Sequence, residues 1–234
     1  MDTLIRLNNS TAGRDKTARL IQYLCKALWD TLDANDINSH LIDQLRTFEL
    51  SLSTFRKTLR LGKCIDTFYA SLTSLHYADA VVRMTVTLSK LASSMFLFCD
   101  HMIWFARTGF VKGVNVEKWN KLANKYWLFS VVMNLVRDFY EIQRLLATQT
   151  PKKATVDQGC LQEVISLPLQ TVKCICGHKP VLWDTVKNAC DLFLPLNGLG
   201  FTKLSPRTIG VLGFISSLAG LIPLVEPSAK LSPA

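Results

Sequence analysis

From Leu41 to Leu61 large apolar residues return every third or fourth position: Leu45, Phe48, Leu52, Phe55 and Leu59. That spacing predicts a helix carrying one narrow apolar stripe. At about 100° per residue, Arg46, Arg56, Lys57 and Arg60 fall on the adjoining polar arc. Gly62 marks the expected end or kink, with Lys63 just beyond it. Upstream, "GRDKTARLIQYLCKALWDTL" sets Leu20, Ile21, Leu24 and Leu28 on one helical face, and Asn35 to Ser39 forms a polar break. No run of period-two alternation occurs, so the pattern predicts an all-α chain.

Further along, the helices lengthen and become more apolar. Tyr77 to Arg107 reads as one long segment whose second half, "LASSMFLFCDHMIWFAR", is interrupted only by Asp100 and His101. A charge there calls for a role or a partner, and pairing with an Arg or Lys is the expectation. After a turn at Gly109 to Asn115, another long helix has an uncharged centre from Tyr126 to Val136. At about 16 Å it is too short to cross a bilayer alone. Lys118, Lys121 and Lys125 crowd its N-terminal side with Trp119, Tyr126 and Trp127, an interfacial pattern. Pro168, Pro180 and Pro195 are expected to punctuate shorter helices. Thr208 to Val225 carries no charge over eighteen residues, about 27 Å of helix and the lower end of a membrane span. Within it Gly213 and Ser217, and Ser216 and Gly220, form small-xxx-small pairs that let helices approach closely.

Composition sharpens this picture. A formal net charge of +9 coexists with 49% hydrophobic residues, a combination suited to a protein in or on an anionic membrane. Ten Lys and Arg stand against nine Asp and Glu in residues 1–80, so the positive charge of that region is local, concentrated at Arg56 to Lys63. Seven scattered cysteines suggest no disulfide framework and a reducing compartment. The opening residues lack an apolar core, so no secretory signal peptide is expected. Cys174, Cys176 and His178 in "CICGH" are too closely spaced for a common structural zinc site and have no second pair nearby. Neither a phosphate-binding loop nor a nucleophile elbow occurs. The expectation is no metal, no cofactor and no enzyme.

Two macromolecular surfaces could use the basic arc. A helix reading a nucleic-acid groove would set base-contacting side chains beside its phosphate contacts; here the next arc is Phe48, Leu52, Phe55 and Leu59. An interfacial helix sinks such residues below the headgroups while basic ones hold phosphates. Four basic residues would contribute about 4 kcal/mol at an anionic surface. Packing of the same stripe within a helical bundle is the structural alternative, and the two can hold in different states. The reading is an anionic phospholipid partner and no nucleic acid, with Arg46, Arg56, Lys57, Arg60 and Lys63 as the membrane-binding basic face.

The blocks "GRDKTARLIQYLCKAL", "FRKTLRLGK", "LFCDHMIWFARTG", "EKWNKLANKYWLFSVVMNLVRDFYEI" and "VKNACDLFLPLNGLG…LSPRTIGVLGFISSL" resemble, in order and over nearly the whole chain, the peroxisomal membrane protein eleven (peroxin eleven) family, in particular its animal alpha and beta members. The resemblance implies a non-enzymatic, multi-pass peroxisomal membrane protein with both termini in the cytosol. Its expected role is to elongate and constrict peroxisomes before division, with Leu45 to Lys63 entering the cytosolic leaflet. It further implies self-association, tail-anchored fission adaptors and a dynamin-related GTPase as partners, and a farnesylated import receptor reading the region that begins at Lys203, Leu204 and Arg207. A channel for small metabolites, lined in part by Asp100, is the alternative function.

The resulting expectation is an all-α, membrane-associated helical bundle with interfacial amphipathic helices and a C-terminal transmembrane helix. Residues 1–75 form the amphipathic remodelling region, and 76–147 a hydrophobic hairpin with a possible span at 91–106. Residues 148–169 form a polar linker and short helix, and 170–234 the C-terminal helices with a span at about 208–225.

Overall fold

In the computed structural model, residues 2–35, 39–111, 113–149, 177–229 and 231 are described. The sequence-derived linker at 148–169 lies almost wholly outside them, as do Cys160, Pro168, Cys174 and Cys176. Among the described residues the chain is helical and contains no strand. The helices are α1 (Asp2–Asn9), α2 (Thr11–Asp33), α3 (Ser39–Leu59), α4 (Lys63–Thr73), α5 (Ala80–Arg107), α6 (Val116–Gln149), α7 (Lys179–Leu199) and α8 (Pro206–Val225).

Local chemistry sets these boundaries. Ser10 caps α2 by accepting from the Gly13 amide at 3.0 Å, and Asp79 caps α5 by accepting from Val81 and Val82. Ser205 caps α8, with Pro206 in the first turn where a missing N–H costs nothing. Between α3 and α4 the backbone turns through Gly62 at φ 79°, a left-handed conformation that glycine adopts without steric cost. Pro180 likewise opens α7, but Pro195 lies inside that helix and does not end it. It cannot donate to the Asp191 carbonyl. Burial of Pro195 and the packing of α7 against both α6 and α8 hold the helix through that missing bond.

The helices close on themselves. α5 and α6 form a hairpin, α7 packs on α6, α8 on α7, α2 on α8, and α3 on α2; α3 then returns to α5, while α4 lies along the outside of α5. The contact between α2 and α8 is close because α8 presents glycines: a methyl group at Gly210 would sit 2.6 Å from the Ala27 backbone nitrogen, and Gly213 lies against the Tyr23 ring. α5 and α6 are joined by a hydroxyl seam, with Ser89 and Ser93 meeting Ser130 at 3.0 and 2.7 Å, and Ser89 donating to Asn134 at 2.6 Å. A small apolar cluster of Cys99, Ile103 and Ala123, bordered by Phe96 and Trp119, sits beside it.

Polar and charged side chains share the interior with apolar ones, and many large apolar side chains lie on the surface. Asp15, Arg19, Gln22, Asp100, His101, Asp138, Asn188 and Asp191 are buried, while Ile21, Leu24, Leu28, Phe68, Tyr69, Met84, Phe98, Phe129 and Phe139 are exposed. Large exposed apolar area of this extent marks an interaction surface. Lipid supplies one naturally, since it solvates apolar side chains and leaves polar ones to satisfy each other inside. α5 and α8 are long and apolar enough to cross a membrane, and fewer than half of the residues in either apolar stretch are buried.

Candidate membrane-inserting surface and its charged interior

On α3 the stripe runs along the edge of the face that packs on protein. Phe48 and Phe55 are each 50% exposed, and Leu45, Leu52 and Leu59 are half-buried along the same edge. α4 extends the surface past the Gly62 turn with Ile65, Phe68, Tyr69 and Leu72, all exposed. Both helices therefore carry exposed apolar side chains.

The basic arc is divided. Arg46 is exposed, 3.2 Å from Asp33 and stacked 4.5 Å over the Trp29 ring. Lys63 is exposed. Arg56, Lys57 and Arg60, expected beside them at the lipid headgroups, instead turn inward. Arg56 donates to Asp15 at 3.0 Å and to Gln22 at 2.8 Å. Arg60 donates to Asp100 at 2.6 Å, and Lys57 bonds the other Asp100 oxygen. The physical reason is the pair of acids on α2 and α5: a buried carboxylate is costly without a cation, and α3 supplies three. Asp100 thus has the Lys and Arg partners expected for a charge in an apolar helix. His101, beside it, meets the Arg60 carbonyl through Nε2 at 2.9 Å.

These neighbours set the protonation states. Burial would raise the Asp15 carboxyl, but the Arg56 and Arg60 guanidiniums outweigh it and hold it below the usual carboxylate range. Burial, reinforced by Arg60, pulls Arg56 down to about 10. Lys57 is lowered by burial despite the opposing pull of Asp100.

A second pair crosses from α2 to α7. Arg19 forks onto both oxygens of Asp191, and Ser216 of α8 donates to the same carboxylate. Burial would lower Arg19 and raise Asp191; their mutual attraction overrides it in both. The small-residue pairs of α8 therefore meet α2 and α7. Gly213 faces Tyr23, Gly220 faces Lys16, Ser216 holds Asp191, and Ser217 donates back to the Gly213 carbonyl. At the other end of α8, Lys203 is exposed and the Leu204 amide donates to Asn197 at 2.9 Å. The Arg207 amide donates to Asp30 at 2.9 Å.

Asp15, Arg19 and Gln22, like Asp184, Asn188 and Asp191, were not singled out by sequence reading. Their signal was present. Each set runs at i, i+4 and i+7 opposite an apolar face, with both charge signs on or beside it, and such a stripe in a membrane-bound chain marks an inward face.

A helical bundle that exposes its apolar side chains, pairs its charges internally and carries two helices of membrane-spanning length is an integral membrane protein. The chain belongs to the peroxisomal biogenesis factor 11 (PEX11) family, whose family model matches residues 1–225. It is 32% identical to human "Peroxisomal membrane protein 11B" over the whole of both chains, and 34% identical to human "Peroxisomal membrane protein 11A" over 99% of each. A more distant relative, "Peroxisomal membrane protein PMP30B" of Candida boidinii, is 22% identical over 93% of this chain and 91% of its own. No solved structure matches the chain.

Proposed function

We propose that this chain is a non-enzymatic, multi-pass peroxisomal membrane protein that elongates and constricts the organelle for fission, and that α3 is its wedge. The observation that carries this reading is the apolar stripe of α3, with Phe48 and Phe55 exposed and Leu45, Leu52 and Leu59 half-buried, beside the face that is locked to protein. Side chains entering one leaflet to about 5–10 Å expand it relative to the other. Arg46 and Lys63 flank the stripe and serve as headgroup contacts. Arg56, Lys57 and Arg60 hold α3 to the two helices beneath it, so that insertion strain reaches the spans and does not dissipate in a loose arm. Self-association crowds these wedges. Tail-anchored fission adaptors, a dynamin-related GTPase and the farnesylated import receptor, the last at Lys203, Leu204 and Arg207, are the proposed partners, and both termini face the cytosol.

The test reconstitutes the full chain into vesicles containing anionic phospholipid and scores tubules by electron microscopy. Phe48→Asp with Phe55→Asp is expected to abolish tubulation while leaving helicity and thermal unfolding in detergent unchanged, because both residues face outward. Tubulation that survives the double change contradicts the wedge.

A second reading, a channel for small metabolites, draws on one feature. A polar cavity of about 230 Å³ lies inside the bundle, lined by Arg19, Arg56, Lys57, Arg60, Asp100 and Asn124 among others. Conductance across planar bilayers that Asp100→Asn removes supports it; tubulation without conductance leaves remodelling alone.

A further inference from the structure

Away from α3, a cavity of about 550 Å³ opens among α2, α6, α7 and α8, with Lys16, Arg137, Asp184, Lys187, Trp183 and Pro223 in its wall. Its cations come from three helices and outnumber their acids. Arg137 bonds Asp138 at 2.8 Å and also Asp184, and Lys187 bonds Asp184 at 2.6 Å. Asp138 is further occupied by Asn188 at 2.6 Å. Both carboxylates are therefore satisfied by Arg137, Lys187 and Asn188. Lys16 has no ion pair among the described residues, and its ammonium rests against Gly220, where a methyl group would come within 2.6 Å.

Trp183 and Ala219 form a shared wall with a second hollow of about 470 Å³, whose lining is otherwise apolar (Val186, Ile215, Leu218, Leu221, Ile222 and Val225) apart from Glu226. That hollow runs along the seam of α7 and α8, and Ile215 and Leu218 beside it are exposed. A surplus cation thus adjoins an apolar groove near the C-terminal end of a span, the level at which headgroups meet acyl chains.

We propose that the structure assigns here a binding site for one anionic phospholipid, its headgroup phosphate held by Lys16 beside the Asp184-paired Arg137 and Lys187, and an acyl chain lying between α7 and α8. The commitment to a lipid over a soluble phosphate rests on the groove, which a free anion would leave empty. The inference depends on the membrane placement of α8 and not on insertion of α3, so loss of tubulation in the Phe48 and Phe55 variant does not bear on it.

Protonation supports the assignment. Burial, then Arg19 and Lys187, pull Lys16 down to about 7 against the opposing Asp191 and Asp15. Arg137 and Lys187 are committed to Asp184, and α8 brings no charged side chain to the ammonium. A bound anion favours the protonated form, so affinity falls as pH rises through neutrality.

The experiment uses the full chain in detergent with dioctanoyl phosphatidylglycerol, whose phosphodiester charge is constant over this pH range, and reads binding by native mass spectrometry and thermal shift. One lipid per chain is expected, weakening between pH 6 and 8.5. Lys16→Met weakens it about tenfold, as loss of one charge-assisted contact does. Ile222→Trp, which fills the groove and leaves the charges in place, also weakens it. Three results overturn the proposal: inorganic phosphate binding as tightly as the lipid, dioctanoyl phosphatidylcholine binding equally well, or Lys16→Met without effect on a folded protein.

Discussion

Asp100→Ala is expected to lower the stability of the detergent-solubilised protein by about 3–5 kcal/mol, the range for removing one partner of a buried charge pair. The Asp100 side chain is 4% exposed and joins two cations, Lys57 and Arg60, whose side chains are only 12% and 13% exposed. Without the carboxylate both ammonium and guanidinium remain inside the bundle, and Asp15, already bonded to Arg56, is 3.8 Å from Arg60. Thermal unfolding followed by circular dichroism measures the loss. Adding Lys57→Met to Asp100→Ala should recover a large part of it, because the penalty is stranded charge and not a missing contact. A single change at Asp100 that leaves unfolding unmoved would mean that α3 does not pack inward.

The second large effect is a pH dependence of the same sense as acid denaturation, with stability rising with pH, but set above neutrality. Lys16 has its affinity for a proton depressed to about 7 in the folded protein, against an ordinary value near 10.4. Between those two values the unfolded chain binds a proton that the native one releases, so stability rises with pH across the window by up to about 1.4 kcal/mol per unit. Below about 7 both forms are protonated and the full cost of the buried ammonium is present. Lys57, also lowered by burial, adds in the same direction. Delipidated protein should therefore melt at higher temperature at pH 9 than at pH 7. Lys16→Met should flatten that rise and stabilise the protein most at the lower pH. The carboxylates behave in the ordinary way: Asp15, Asp184 and Asp191 are held below their usual range, so what they contribute is present above about pH 4 and lost as the pH falls through their folded values.

Much of this architecture was legible in the residues. Periodicity and breakers located α2, α3, α5 and α6, and the uncharged run located α8. Asp100 in an apolar stretch announced a cationic partner. Orientation was harder to read. The stripe and the basic arc on α3 are equally plain in sequence, but periodicity only divides a helix into faces. Which face meets protein depends on what the neighbouring helices offer and on whether the outer solvent is water or lipid. Had Asp15 and Asp100 been apolar, Arg56, Lys57 and Arg60 would have had no reason to turn inward. Pro195 deceived in the same manner: the residue forbids one hydrogen bond, and packing on both sides of α7 was enough to keep the helix whole. The cavity under Lys16 joins residues about 200 positions apart, a juxtaposition that no local pattern encodes.

On the proposed reading the apolar face of α3 lies in lipid while the face adjoining it is locked into protein. The most direct test is site-specific quenching in reconstituted full-length protein lacking the seven native cysteines, with an environment-sensitive fluorophore attached through Phe55→Cys and, as a water-exposed reference, Asn35→Cys. Brominated acyl chains should quench the probe at 55 and aqueous iodide should not, with the reverse at 35. Iodide quenching at 55 equal to that at 35, with no effect of brominated lipid, would contradict the account.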